Sequence, residues 1–335
     1  MNNIESLSNQ HTGSARARVI VITGPTATGK SGAAVRLAKE IGGEIISADS
    51  MQVYKGMDIG SAKITEEEME GIPHHLIDIL DPREEYSAAR FREMASEAIT
   101  EIVSRGHIPV ICGGTGFYIQ ALLYGIDFTE EPAEETERYR QELETLAASA
   151  GPDGLYAMLR EADPESAEAI DPHNVKRVMR ALMFYRLHGR KISEHNRAES
   201  EKRLHGQEHS PYEYLFFVLY GDREKLYRKI DARVDEMLSE GLIEEARRLY
   251  PLFFQEGKTD SFTAAQGIGY KELFSWLSGE IPLEEAVRLI KRNTRRFAKR
   301  QLTWFRRERN VTWINIDEGD PLDEIRKHIQ IVWGG

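Results

Sequence analysis

The segment "GPTATGKS", Gly24 to Ser31, follows the apolar run "RVIVITG" and opens "TGKSGAAVRLAKEIG", whose apolar residues recur at helical spacing up to Gly42-Gly43. The spacing G-x-x-x-x-G-K-S between a strand and a helix is that of a phosphate-binding loop. In such a loop, formed here by Gly24, Pro25, Thr26, Ala27, Thr28, Gly29, Lys30 and Ser31, backbone N–H groups wrap a diphosphate or triphosphate. Lys30 neutralises it, and the Ser31 hydroxyl is a candidate Mg²⁺ ligand. The loop leaves open which molecule carries the phosphates and whether phosphorus is the reacting centre.

A strand–loop–helix start predicts an α/β fold, and the rest of the chain carries the pattern on. "GEIISADS" (43–50), "HLIDIL" (75–80), "IPVICGG" (108–114), "YEYLFFVLY" (212–220) and "VTWINID" (311–317) read as buried strands, and "SAARFREMASEAITEIVSRG" (87–106) as a long amphipathic helix. Near-continuously apolar strands alternating with helices imply a parallel sheet covered on both faces. From 129 to 200 only helical patterns appear, broken by Pro and Gly, so this stretch reads as an inserted all-helical subdomain. The expected organisation is a polar, disordered lead-in over 1–17, a P-loop NTPase-like α/β core over 18–128 and 201–335, and the insertion at 129–200.

Length and composition narrow the function classes. A chain of 335 residues exceeds one ordinary compact domain, and no apolar run approaches the roughly 20 residues of a membrane helix. The lead-in has no apolar stretch of the signal-peptide kind, and the single cysteine, Cys112, excludes an internal disulfide and suits a reducing cytoplasm. Net charge is −11, which by itself argues against a nucleic-acid partner. Two windows run against that average. Residues 288–309 hold ten Lys/Arg and one acid, Glu308, and residues 173–191 hold six Lys/Arg and no acid. Such local basic surfaces point to a directed contact with an anionic partner. On the C-terminal helix Arg288, Arg292, Arg295, Arg296 and Lys299 fall on one face, either solvated or tracking a phosphate backbone.

Open α/β sheets bind ligands beyond the carboxyl ends of their strands. Asp49 and Thr115 stand at two such ends, so they converge with Lys30. Asp49 reads equally as a helix cap, a metal ligand or a general base. No acid ends the fourth strand where an ATPase-type metal ligand is expected, and Asp78 lies inside its strand. His74-His75 reads as structural, because neighbours on a strand point to opposite faces.

"GPTATGKS", "ISADSMQVYKGMDIGSAK", "HHLIDIL", "CGGTGFYIQALLYG", "DPHNVKRVMRAL", "GDREKLYRKIDARVDEML" and "QGIGYKEL" occur in an order and spacing that resemble the bacterial tRNA dimethylallyltransferases, from about Arg18 to Trp304. The resemblance implies transfer of the dimethylallyl group from dimethylallyl diphosphate to the exocyclic amine of the adenosine just 3′ of the anticodon, in tRNAs that read codons beginning with U. The loop then holds the diphosphate of an alkyl donor, and carbon is attacked. It implies Asp49 as general base, Thr26, Gly29, Lys30 and Ser31 on the diphosphate with Mg²⁺ at Ser31, and Arg223 on the departing diphosphate. It places Asp49, Ser50, Met51, Gln52 and Thr115 on the flipped-out adenosine. Asn174, Lys176, Arg177 and Arg180 of the insertion grip the anticodon stem-loop, while "QGIGYK" (266–271) and the C-terminal helix close the channel. Arg90 and Met183 depart from the family's usual residues and carry no assigned role. The partners expected are tRNA and dimethylallyl diphosphate, with no membrane and no obligate protein partner; a cytoplasmic monomer is expected. The rival readings are a P-loop nucleotide or small-molecule kinase, and a non-catalytic GTPase-like RNA-binding module.

Overall fold

The structure is a computed structural model that describes residues 16–126, 133–204, 206–255, 258–259 and 262–334. The lead-in expected at 1–17 lies outside the described residues up to residue 15. In chain order the elements are β1 (Ala17–Thr23), α1 (Lys30–Ile41), β2 (Gly43–Ser47), β3 (His74–His75), α2 (Ala88–Ser104), β4 (Ile108–Gly113) and α3 (Gly116–Leu123). Helices α4 (Ala133–Ala162), α5 (Pro164–Ala169), α6 (Val175–His188), α7 (Ile192–Leu204) and α8 (Gly206–His209) come next. Then follow β5 (Tyr212–Tyr220), α9 (Arg223–Ser239), α10 (Leu242–Phe253), a hairpin of β6 (Phe254–Gln255) and β7 (Lys258–Thr259), α11 (Tyr270–Leu277), α12 (Leu283–Phe305), β8 (Thr312–Asn315) and α13 (Pro321–Trp333).

Six strands form one sheet in the order β3-β2-β4-β1-β5-β8, every pair parallel. The apolar runs are continuous because both faces are covered. Ile20, Ile22, Val110, Cys112, Leu215 and Phe217 pack with α1 and α13 through Leu37, Ile41, Ile325 and Ile329. Their alternates Val19, Val21, Ile111, Phe216 and Val218 are also buried. Phe216 there meets Phe305 of α12 edge-on, with ring centroids 6.4 Å apart. Parallel strands with helical crossovers require this two-sided burial.

One expected strand is mostly absent. "HLIDIL" contributes only His75 to β3, since Leu76 and Asp78 adopt left-handed backbone with φ of 61° and 57° and break the extended run. Segment 78–80 instead donates backbone N–H groups to Gln52 and Val53, and Leu80 forms an isolated bridge with Tyr54. The pattern of alternating apolar residues is real, but pairing with the 51–54 turn decides the backbone.

The chain divides into two compact units, Met1–Gly125 with Gln207–Gly335, and Ile126–Gly206. The second is helical and has a core of Leu143, Leu155, Leu159, Val178, Ala181 and Leu182, with Met183 packed against it. Gly151, at φ 69°, interrupts α4. Buried Asp163 accepts from the backbone and hydroxyl groups of both Ser166 and Ser193, joining the starts of α5 and α7. No helix among the described residues is long and apolar enough to cross a membrane.

Candidate active site

The loop leaves β1 through Gly24, where any side chain is excluded: a Cβ there would lie 2.4 Å from the Leu219 carbonyl oxygen. Ala27, at φ 67°, and Gly29, at φ 79°, turn the chain back into α1, with the Thr28 hydroxyl donating to the Pro25 carbonyl at 2.8 Å. Left-handed backbone at a non-glycine residue costs free energy and is held by its surroundings. Here Ala27 packs against Leu226, Ile230 and Ala298. The unpaired N–H groups and partial positive charge of the α1 N-terminus face the loop, which suits an anion.

A cavity of about 340 Å³ opens beside the loop, wholly within the first unit. Thr26, Lys30, Ser31, Asp49, Ser50, Met51, Gln52 and Thr115 all line it. Gly24, Pro25, Ala27, Thr28 and Gly29 shape the loop without lining that cavity. Part of the wall is apolar. Ile230, Val234 and Met237, at i, i+4 and i+7 of α9, present one helical face, and Ile290 and Phe297 of α12 and Leu242 of α10 extend it. Cationic groups and an apolar helical face in one cavity suit a ligand with an anionic head and a hydrocarbon tail.

Lys30 and Asp49 are the charged groups beside the loop. Enclosure pulls the Lys30 ammonium below its ordinary pKa, opposed by the Cys112 and Asp49 side chains and reinforced by Arg233. Burial pushes the Cys112 thiol up to about 11, so it is a protonated wall residue. Asp49 divides its two oxygens. Oδ1 accepts from the backbone N–H groups of Met51 (2.8 Å) and Gln52 (3.4 Å), capping the turn, and Oδ2 accepts no hydrogen bond from a described residue. Asp49 therefore caps its turn while lining the cavity, so the cap reading is compatible with either the metal-ligand or the general-base reading. Asp78 is engaged elsewhere, 2.8 Å from the Lys63 ammonium. His74 lines the cavity, its pKa lowered by burial, while His75 faces Glu44, so the adjacent rings do not share a site.

Arg223 does not line this cavity. It follows the Asp222 cap of α9 at the carboxyl end of β5, its guanidinium 5.4 Å from the Tyr227 ring centre. It faces a second cavity of about 420 Å³ that also takes in Lys299, Arg306 and Trp313. Arg233 and Arg300 do line the first cavity, and neither stood out among the basic residues of the sequence.

Gln301 is the residue the sequence concealed most completely. Buried on α12, it accepts from the Thr26 N–H at 3.1 Å and donates to the Gly114 carbonyl at 2.9 Å, tying the phosphate loop to the end of β4. Gly114 is glycine for this contact: a Cβ there would come within 2.2 Å of the Gln301 amide nitrogen. Glu308, the lone acid of the basic window, accepts from Gln120 at 2.8 Å and Tyr124 at 2.9 Å and so fixes the chain just past α12. The cationic face of α12 is partly neutralised, since Arg295 pairs with Asp231 and Arg288 with Glu285, and Lys291 of the same helix pairs with Asp235 at 2.6 Å. Residues 266, 267, 268, 269 and 271 of "QGIGYK" line the cavity as well.

In the helical unit Asn174 caps α6 by accepting from the Arg177 N–H at 3.3 Å. Lys176, Arg177 and Arg180 are exposed on that helix and pair with no carboxylate among the described residues.

A family model described as IPP transferase matches residues 52–308, and one described as isopentenyl transferase matches 17–83. The chain belongs to the IPP transferase family. Within it, this chain is 52% identical over 297 residues to a tRNA dimethylallyltransferase of Lachnoclostridium phytofermentans, covering 89% of this chain and 91% of that one. It is 47% identical to the corresponding protein of Geobacillus kaustophilus, over 93% and 96% of the two chains. Among solved structures of IPP transferases, a tRNA isopentenylpyrophosphate transferase of Bacillus halodurans superposes with a TM-score of 0.67 at 43% identity, over 95% and 96% of the chains. A eukaryotic dimethylallyltransferase acting on tRNA superposes with a TM-score of 0.74 at 31% identity, over 94% of this chain and 78% of that one.

Proposed function

We infer that this IPP transferase moves the dimethylallyl group of dimethylallyl diphosphate onto the exocyclic amine of the adenosine 3′ of the anticodon in tRNAs reading codons that begin with U. The observation that carries the reading is one cavity that joins a phosphate loop, a carboxylate with a free oxygen and an apolar wall. The relatives named above are prenyl transferases of tRNA, which favours this reading over a kinase.

The residues supply the chemistry as follows. Loop N–H groups and Lys30 bind the diphosphate and stabilise the negative charge that grows on it as the allylic C–O bond breaks. The adenine amine donates its electron pair to the freed allylic carbon, forming the C–N bond. It is a weak nucleophile because its lone pair is delocalised, so removal of its proton by Asp49 contributes about 10²–10⁴-fold. Thr115 and the 50–52 turn border the space for the base, which leaves its stack to reach them. Arg223, which lines the second cavity, is the cation assigned to the departing diphosphate. The hydroxyl of Ser31 is a hard oxygen donor of the kind Mg²⁺ takes alongside phosphate oxygens, and no group of three or more His, Cys, Asp or Glu among the described residues offers a separate cage. A bound Mg²⁺ would supply further neutralisation of the diphosphate. Lys176, Arg177 and Arg180, with the cap Asn174, suit a grip on the backbone of the anticodon stem. The reaction takes place in the cytoplasm, where its tRNA substrate resides.

The decisive experiment incubates the purified protein and an anticodon stem-loop with radiolabelled dimethylallyl diphosphate or with γ-labelled ATP. Carbon label entering RNA is the expected result. Phosphorus label entering RNA or a small acceptor, without carbon label, overturns the reading.

A further inference from the structure

The cavity wall formed by residues 60–62 has no regular structure, yet it borders the proposed adenosine side together with Gln52. One buried carboxylate binds it through three successive backbone N–H groups. Glu245, on α10 and 5% exposed, points its carboxylate into three successive backbone N–H groups. Oε2 accepts from Asp58 at 2.9 Å and Ile59 at 3.0 Å, and Oε1 accepts from Gly60 at 3.0 Å and from the Tyr270 hydroxyl at 2.6 Å. Arg248, at 4.0 Å from Oε2, donates instead to the Gly56 carbonyl at 2.9 Å. A carboxylate with four donors is an anion cradled by amides, the arrangement that makes charged hydrogen bonds strong.

The wall is locked at its far end too. The fully buried Tyr270 ring lies over Gly60, where a Cβ would come within 2.5 Å of the ring. The Gln52 amide donates to the Ala62 carbonyl at 3.1 Å, and Gln52 also donates its backbone N–H to Asp49. A continuous path of hydrogen bonds and backbone therefore runs from Glu245 through the 58–62 wall and Gln52 to Asp49. The neighbouring 266–269 wall has its own brace, Glu272, which accepts from the Gly269 N–H and the Asn293 amide, each at 2.8 Å.

We propose that Glu245 is a positioning residue for the transfer: its carboxylate, with the Tyr270 hydroxyl, sets the 58–62 wall and through Gln52 the placement of the Asp49 turn against the acceptor base. The proposal rests on the prenyl-transfer reading. The phosphate loop is braced separately, by Gln301, so the effect belongs to the acceptor side.

Glu245→Gln retains one accepting oxygen but turns an NH₂ group toward backbone donors. Tyr270→Phe keeps the ring over Gly60 and loses a single hydrogen bond, so it retains the fold if Glu245→Gln does not. Ile325→Val, in the core under α13 and away from the cavity, matches them for loss of Tm. Steady-state transfer is measured per folded molecule with dimethylallyl diphosphate and an anticodon stem-loop. For Glu245→Gln kcat falls 10- to 100-fold, for Tyr270→Phe 3- to 10-fold, with KM for dimethylallyl diphosphate within threefold of wild type and Ile325→Val unchanged in kcat. If both variants, or Tyr270→Phe alone where Glu245→Gln does not fold, lower Tm but keep wild-type kcat and KM for both substrates, Glu245 is a structural brace only and the inference fails. An equal rise in the donor KM overturns it as well. A wild-type protein that transfers no dimethylallyl group fails the functional reading instead, and with it the inference that depends on it.

Discussion

Asp49 caps its own turn with one oxygen and leaves the other for the cavity, which makes its two roles separable by substitution. Asp49→Asn keeps the accepting oxygen and loses the base; single-turnover alkylation falls at least ~10²-fold while tRNA affinity stays within a few fold and Tm is little changed. Asp49→Ala removes the cap as well and adds about 1 kcal/mol of destabilisation, read by urea titration. Turnover near wild type in the Asn variant removes Asp49 from the chemistry. Lys30 makes a different prediction. Its ammonium is needed charged, and burial lowers its pKa, so the charged form is lost as pH rises through a value below that of ordinary lysine. The kcat/KM for dimethylallyl diphosphate therefore turns down on its alkaline side before pH 10.5, and Lys30→Gln, ~10²–10³-fold slower, loses that limb.

Helix α6 is where the RNA reading becomes quantitative. Arg180 is exposed, carries no acid partner among the described residues, and shares its helix with Lys176 and Arg177. As a backbone phosphate contact it binds without regard to sequence, so Arg180→Ala weakens all anticodon stem-loops alike. It also reduces the slope of log affinity against log salt by roughly 0.7–0.9. An unchanged slope takes it off the RNA surface. What the sequence could and could not show also divides by element. The phosphate loop, β1, β4 and β5 are legible because their signals are local: fixed spacing, or apolar runs buried on both faces. "HLIDIL" misleads because left-handed Leu76 and Asp78 follow from pairing with residues 52–53, a tertiary choice that its own pattern does not carry. Gln301 and Glu245 are illegible for a related reason. One amide in a basic helix, or one acid in "LIEEARRLY", differs from its solvated neighbours only in what the fold brings to it. The α12 stripe looks more cationic in sequence than it is, because the partner of Arg295, Asp231, belongs to α9.

Across the whole molecule the two ends of the parallel strands do different work. The carboxyl ends carry the phosphate loop, Asp49 and Thr115, where backbone groups are left for ligands. Near the amino ends of β2 and β4 a charge cluster closes the sheet. There Glu44, with its side chain 3% exposed, accepts from Arg105 at 2.7 and 3.0 Å, and from His75 and His107 at 2.6 Å each. The Arg105 guanidinium, ahead of the two imidazoles, holds the Glu44 carboxyl at about 2 against an ordinary 4.5. A folded-state pKa below the unfolded one means that the ionised form is favoured by the fold. The stabilisation is complete above about pH 4.5 and is lost as pH falls toward 2. Glu44→Gln leaves Arg105 and two imidazoles facing a neutral amide, and costs roughly 1–3 kcal/mol at neutral pH. Because the cluster lies at the opposite strand ends from Asp49, the variant retains wild-type kcat per folded molecule. Chemical denaturation of the two proteins from pH 7 to pH 2.5 is expected to show a stability gap that narrows as pH falls below about 4.5. A gap that stays constant through the acid range assigns the effect to packing and removes Glu44 from the acid response of the fold.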